Sequence, residues 1–327
     1  MEEERGSSQR GGRVRQHSAG GDLFVIFIVN ALLKLITLGI YHFWGKTRVR
    51  RYLWSQSAFD RERFEYDGLG QQLFFGFLKA LGAMIPLVAL YAFLQAILVP
   101  VQPVLGGLMA VLLLLGVYVL TGVGSYSARR YLLSHTRWRS IRFAQSGFAW
   151  AFAKKYLGYG LLALITLGLW WPYRRHRLLD YKVNHTWFGS ERFTYDGWGG
   201  DLFARFLWTY LLTIPTLGLI WLWYLAAEYR YIARHTRLGS LQFELDYTGG
   251  QLLWLRISNW LLVLVTLGLA YPWALLRSFR FLCDRLSVTG QLEYAAIAQS
   301  AGQVPTSGEG LAEIFGVSGT LLGIGRI

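Results

Sequence analysis

Three histidines, His135, His185 and His235, recur at intervals of 50 residues. A set of imidazoles can hold zinc if the fold gathers them, although ligands on one element are closely spaced. Each of these histidines ends a basic stretch, in a Ser-His-Thr, Asn-His-Thr or Arg-His-Thr step. There an imidazole can cap the last carbonyls of a helix, and no metal is assigned. Lys34 stands in mid-run among apolar residues, and an ionisable group inside a bilayer is a functional candidate by default. Asn30 precedes it by one helical turn on the same face. Asn259 and Thr209 hold the corresponding places further along the chain. Such a stripe could line a solute path. Alternatively, Asn and Thr join neighbouring helices, while Lys34 snorkels or pairs with an acid such as Glu228. Arg48, Arg51, Arg130, Arg174, Arg175 and Arg177 could bind a particular anionic lipid or solute, general attraction to headgroups being the simpler chemistry. No phosphate-binding glycine loop, nucleophile elbow or His-Glu-x-x-His helix accompanies them. The Gly-x-Gly steps at 68–70 and 197–199 read as turns. The expectation is no enzyme and no cofactor.

The elements that must position these residues repeat. Thr37-Leu38-Gly39, Thr166-Leu167-Gly168, Thr216-Leu217-Gly218 and Thr266-Leu267-Gly268 each end an apolar run. Aromatics and then arginines follow, and the last three copies start 50 residues apart. A fixed period of that size marks a repeat architecture. Glycine-rich steps open the units, as in Gly20-Gly21-Asp22 and Gly199-Gly200-Asp201. Aromatics recur at Tyr52, Tyr131, Tyr181, Tyr231 and Phe281 within basic, amphipathic stretches, which read as interfacial helices. Short alternating segments ending in Asp-Gly, at 63–68 and 192–197, suggest brief strands.

Composition places this array in a membrane. Of the 327 residues, 54% are hydrophobic and 16% charged, with a mean hydropathy of +0.32. A soluble domain carries about 25% charged residues. Six apolar runs, at 23–44, 73–99, 104–124, 156–173, 206–227 and 257–276, are candidates to cross or enter the bilayer. The net charge of +14 lies beside these runs and points to anionic headgroups, not nucleic acid. The single cysteine, Cys283, excludes an intrachain disulfide framework. The expected fold is an all-α integral membrane protein of about six transmembrane helices, with interfacial basic helices and short extended segments between them. A polar tail (1–19) precedes a repeat-built membrane domain (20–298) with units at about 20–69, 70–148, 149–198, 199–248 and 249–298. A tail (299–327) follows. Every connecting segment is basic, which conflicts with the positive-inside rule if single crossings separate them. Either alternate basic segments lie on opposite faces, or some runs turn at Thr-Leu-Gly and return. Six crossings is the preferred reading.

The progression of Thr-Leu-Gly, aromatic-Pro, basic helix, His-Thr and Phe-x-Tyr-x-Gly resembles the YjgN-like family of bacterial inner-membrane proteins, over about residues 20 to 315. Gly308-Glu309-Gly310-Leu311-Ala312-Glu313 is similar to that family's C-terminal signature. The second unit departs from the pattern, having no Thr-Leu-Gly. The resemblance implies a multi-pass protein of the bacterial cytoplasmic (inner) membrane and no reaction, since the family is a domain of unknown function. Internal repeats with interrupted helices suggest a solute-handling protein, a transporter or channel-like bundle. The alternative is a membrane scaffold or anionic-lipid-binding protein without transport or catalysis.

Overall fold

The computed structural model describes residues 12–290 and Ile297, so the signature at 308–313 and the tail 299–327 lie outside the described residues. Two short strands, β1 (Gly12–Arg13) and β2 (Arg15–Gln16), come first. Helices α1 (Gly20–Ile36) and α2 (His42–Ser55) then lead to β3 (Ser57–Phe59) and β4 (Glu62–Tyr66). The long helices α3 (Gly70–Val101) and α4 (Pro103–Ser134) lead to β5 (Thr136–Trp138) and β6 (Ile141–Gln145). Next come α5 (Ala149–Ile165), α6 (Trp171–Val183), β7 (Thr186–Phe188) and β8 (Glu191–Tyr195). A short 3-10 turn then precedes α7 (Phe203–Leu211), α8 (Trp221–Arg234), β9 (Thr236–Leu238) and β10 (Leu241–Leu245). The last elements are α9 (Gly249–Val265), α10 (Tyr271–Arg285) and β11 (Leu286–Thr289).

Among the described residues, eleven strands form one antiparallel, barrel-shaped sheet that is nearly closed. Its register fixes where the helices stand. Gln16 opposes Ser57, Tyr66 opposes Thr136, Gln145 opposes Thr186, Tyr195 opposes Thr236 and Leu245 opposes Leu286. Each of these pairs flanks one helical pair, so all the helical pairs rise from the same rim. The opposite rim carries the tight turns after Phe59, Trp138, Phe188 and Leu238. Positive φ at Asp60, Arg61, Arg139 and Ser140 gives those turns the twist that short hairpins need. Closure comes from the N-terminal strand, which pairs with β11 through Gly12 and Arg13 and with β3 through Arg15 and Gln16.

The Thr-Leu-Gly stretches are the tips of helical hairpins. Leucine takes φ near +50° at 38, 167, 217 and 267, and the following glycine takes φ of +79° to +94°. Glycine enters that region at little cost, whereas leucine must be held there. The threonine does the holding. Thr166 Oγ1 donates to Leu162 O (2.8 Å) and accepts from Trp170 N–H (3.0 Å), closing one helix and opening the next. Thr37 and Thr266 make the same two bonds. Gly168 N–H reaches back to Ala163 O, a Schellman-type closure.

The all-α expectation of about six crossings is therefore overturned. Only Gly70–Val101 and Pro103–Ser134 are long and apolar enough, among the described residues, to cross a membrane. The other apolar runs fold back at their tips. The basic stretches α2, α6, α8 and α10 are the returning arms of hairpins packed on their first helices. The alternating segments at 63–68 and 192–197 do contain strands, β4 and β8, but the other strands, of two to five residues, escape a hydropathy reading. In β4, Phe64 faces inward between exposed Arg63 and Glu65.

Candidate functional site

The base of each hairpin is built from the recurring polar residues. Tyr52 Oη donates to Ala19 O (2.9 Å) and accepts from Ala19 N–H, tying the end of α2 to the start of α1. Tyr181 does the same to Phe148, Tyr231 binds Trp198 N–H, and Tyr131 donates to Gln72 Oε1. Phe281 lacks the hydroxyl, and there Thr248 and Gln251 form a capping box instead. Arginines preceding these aromatics bridge to the next unit. Arg51 donates to Gly68 O, Arg130 to Gly147 O and Arg230 to Tyr247 O. Arg280 donates to Ser18 O, 262 residues away, and completes the ring. The three histidines stay on separate helices, each Nδ1 lying 2.7–2.9 Å from the carbonyl of the tyrosine four residues before it.

The intramembrane polar candidates are not gathered around one space. Asn30 donates to Gly45 O (3.3 Å) and Asn259 to Ala274 O (3.1 Å), in each case across its own hairpin. Thr209 Oγ1 donates to Arg205 O within its helix, and Lys34 is exposed near a tip. The arginines divide into two sets. Arg48 and Arg177 are exposed, as is Arg277 at the matching place in the last unit. Arg174 is buried, with its guanidinium over the rings of Tyr156 and Trp171, and donates to Tyr118 Oη (2.9 Å). Arg175 turns inward to Glu228 (2.8 Å).

That inner polar core is what a motif reading misses. Glu228 has no solvent exposure, and burial raises its carboxyl to about 7 although Arg175 pulls the other way. The pair is asymmetric: Arg175 stays firmly charged, held by Glu228 and Tyr229 against its own burial. His176 lies 3.9 Å from Glu228, and its Nδ1 is bonded to Tyr195 Oη. Burial first, then Arg175, pushes the imidazole down to about 4, so it is neutral and no ion pair forms. Lys182 is pushed down to about 7 by burial and then by Arg129, Arg174 and Arg175. Its ammonium sits 4.9 Å from the Phe152 ring centroid and, among the described residues, meets no acid. Phe152 is fully buried, and Lys182 as a whole is half-buried. A signal for these residues exists in the register. Position 182 is Leu53, Leu132, Ile232 and Leu282 in the other units, and position 228 is Val49, Ala128, Leu178 and Ser278.

Below this core the barrel encloses an apolar cavity of about 220 Å³. Phe64, Phe143, Phe193 and Phe243 line it from equivalent places on four strands. Arg129, Thr186, Tyr229 and Thr236 line it toward the helical rim. Arg129 Nη2 donates to Thr186 Oγ1 (3.4 Å), whose hydroxyl donates in turn to Lys182 O. At the other rim Ile297 is buried among Trp138, Phe188, Leu238, Leu241 and Val288.

The helical crown is apolar at its tips. Leu38, Leu167, Leu217 and Leu267 are 94%, 79%, 91% and 92% exposed, which makes them the outermost points of the hairpins. Arg177 lies six residues into α6, which starts at Trp171 just below the Leu167 tip, about 9 Å along the helix. That is less than half of a hydrocarbon core of about 30 Å. From Lys79 to the α3–α4 tip at Gln102 the distance is about 35 Å, a full crossing.

A family model described as a bacterial protein of unknown function, DUF898, matches residues 12–217 and 207–314. Curated relatives match a short stretch. The inner membrane protein YjgN of Escherichia coli O157:H7 is 41% identical over 59 residues, 18% of this chain and 15% of that protein. YjgN of Salmonella typhimurium is 44% identical over 55 residues, 17% of this chain and 14% of that protein. The matched stretch thus spans about one-seventh of the relatives' length. No solved structure matches.

Proposed function

Because the chain belongs to the DUF898 family of bacterial proteins of unknown function, we propose from its geometry that it is an inner-membrane protein that binds anionic lipid and holds a barrel against the cytoplasmic face. The carrying observation is that all the helical pairs leave one rim, so apolar tips and basic residues are layered in the same order in every hairpin. On this reading α3 and α4 cross the membrane, and the shorter hairpins enter one leaflet. The basic segments then all face the cytoplasm, which removes the conflict with the positive-inside rule. Arg48, Arg177 and Arg277 form an exposed collar at headgroup level, where each cation contributes about 1 kcal/mol of attraction to anionic lipid. The relatives named as inner membrane proteins support the location. A solute path is less well supported, because Asn30, Lys34, Thr209 and Asn259 do not converge.

The test is native mass spectrometry of protein extracted in an uncharged detergent. Phosphatidylglycerol or cardiolipin should be retained over phosphatidylcholine, and the triple variant Arg48→Gln, Arg177→Gln, Arg277→Gln should lose that preference while remaining folded. Equal retention of neutral and anionic lipid by the unaltered protein sinks the reading.

A further inference from the structure

We propose that the barrel cavity is a binding site for an uncharged indole-type ring, its N–H donated to the Thr236 hydroxyl. The site is independent of the outer collar, because it lies inside the barrel and takes a ligand without charge. Three threonines that open equivalent strands point to it. Thr136, Thr186 and Thr236 are all buried, and each hydroxyl donates to the carbonyl four residues back. Each oxygen therefore keeps acceptor capacity. The preceding helical pair supplies a donor to the first two. Trp54 Nε1–H donates to Thr136 Oγ1 (3.1 Å), and Arg129 Nη2–H donates to Thr186 Oγ1 (3.4 Å). Among the described residues Thr236 Oγ1 receives no such bond.

The register gives the reason. Val183 follows Tyr181 by two residues, as Trp54 follows Tyr52. A short side chain thus stands before Thr236 where an indole stands before Thr136. Val183, Ala233 and Thr236 all line the cavity, which supplies the space and the acceptor of an indole site without the indole. The volume agrees. A dry apolar cavity of about 150 Å³ takes up benzene, and one about half as large again holds a ring system of about nine atoms; this cavity measures about 220 Å³. Its walls suit a flat ring, because Phe193 lies 6.3 Å, centroid to centroid, from both Phe143 and Phe243, and a ligand ring can join that array. The remaining polar lining calls for no charge. Arg129 is engaged within the chain, and the Tyr229 ring packs under the Arg175 guanidinium (5.4 Å). A charged ligand would lose its hydration there without gaining a counterion.

The experiment uses the full chain in phosphatidylcholine nanodiscs, with empty discs as the blank because indole partitions into bilayers. Indole, its oxygen isostere benzofuran and indole-3-acetate are titrated by calorimetry, and 5-fluoroindole is followed by fluorine NMR. Saturable one-site binding of indole is expected, with displacement of a bound 5-fluoroindole resonance. Benzofuran should bind about fivefold more weakly, the size of one net hydrogen bond. Indole-3-acetate should bind more weakly by roughly tenfold or more. Thr236→Val should abolish the preference for indole over benzofuran, a ratio that a merely structural loss would not move, and Thr136→Val should leave it intact. Val183→Trp should place the chain's own indole in the site and abolish saturable binding. If that variant does not fold, the ligand ratio in Thr236→Val carries the test. No saturable binding by the unaltered protein overturns the proposal, as does indole-3-acetate binding as tightly as indole. Equal affinity for indole and benzofuran overturns the Thr236 assignment, and indole affinity indifferent to both cavity variants overturns the site. The triple arginine variant of the collar should bind indole unchanged, so either proposal can fail alone.

Discussion

Cysteine scanning of the tips separates half-depth hairpins from membrane crossings. In a Cys283→Ala background, single substitutions Leu167→Cys, Leu217→Cys, Gln102→Cys and Ser190→Cys place one thiol each at two short tips, the long tip and a barrel turn. Leu167 stands beyond the start of α6, which lies about 9 Å from Arg177 of the collar, so this tip and the equivalent Leu217 reach into the near half of a bilayer core of about 30 Å. Burying leucines such as these contributes about 1.5–3 kcal/mol each, so the four exposed tip leucines together favour insertion by on the order of 10 kcal/mol. Thiols at 167 and 217 should resist impermeant maleimide from both sides. A bimane label there should be quenched most by lipids carrying the quencher deep in the acyl chain. Gln102→Cys should react from outside only, and Ser190→Cys from the cytoplasmic side only. If the 167 and 217 thiols react from opposite faces, single crossings separate the units and the one-rim arrangement is wrong.

Three further outcomes follow from named contacts. Thr166→Val removes both bonds that hold the Leu167 turn and leaves Trp170 N–H unpaired. It should cost about 1–3 kcal/mol, read as a lower melting temperature in detergent, and an unchanged transition refutes the role. Glu228 binds its proton more tightly folded than unfolded, so its stabilising contribution is full below about pH 4.5 and is lost as pH rises through about 7. Stability should fall by on the order of 3 kcal/mol across that window, and Glu228→Gln should flatten the profile. Removing residues 1–16 exposes the edges of β3 and β11, and the protein should shift to larger species on size exclusion, whereas a sharp unchanged peak argues against closure.

What the sequence disclosed was local. Thr-Leu-Gly marks places where a helix must stop, and His-Thr marks the step from helix into strand, since both depend on residues within one turn. Whether the chain continues or reverses at Thr-Leu-Gly depends on leucine adopting φ near +50°, which leucine's own preferences oppose. Propensity alone therefore favours straight crossings. The barrel was hidden for a different reason. Two of its strands show as alternating segments, at 63–68 and 192–197, but its closure joins Gly12 to Val288 and Ser18 to Arg280, which no local pattern announces.

The shared motif also drew attention to the wrong residues. Tyrosines, histidines and most of the repeated arginines recur because every hairpin needs the same base, and their hydrogen bonds are spent on backbone carbonyls. The charges that remain inside are exceptions within the register. Lys182 replaces Leu or Ile, Glu228 replaces residues such as Val and Leu, and Arg175 stands where Leu225 and Leu275 stand in later units. A repeat needs only one side chain per ring to be different for its axis to become chemically distinct, because the other copies already supply the walls. Here the exceptions fall on α6 and α8, where Arg175 pairs with Glu228 and Lys182 feels the charge of Arg129 on α4. Comparing each position across the units, not the motif they share, is what separates the residues that build the ring from those that could act inside it.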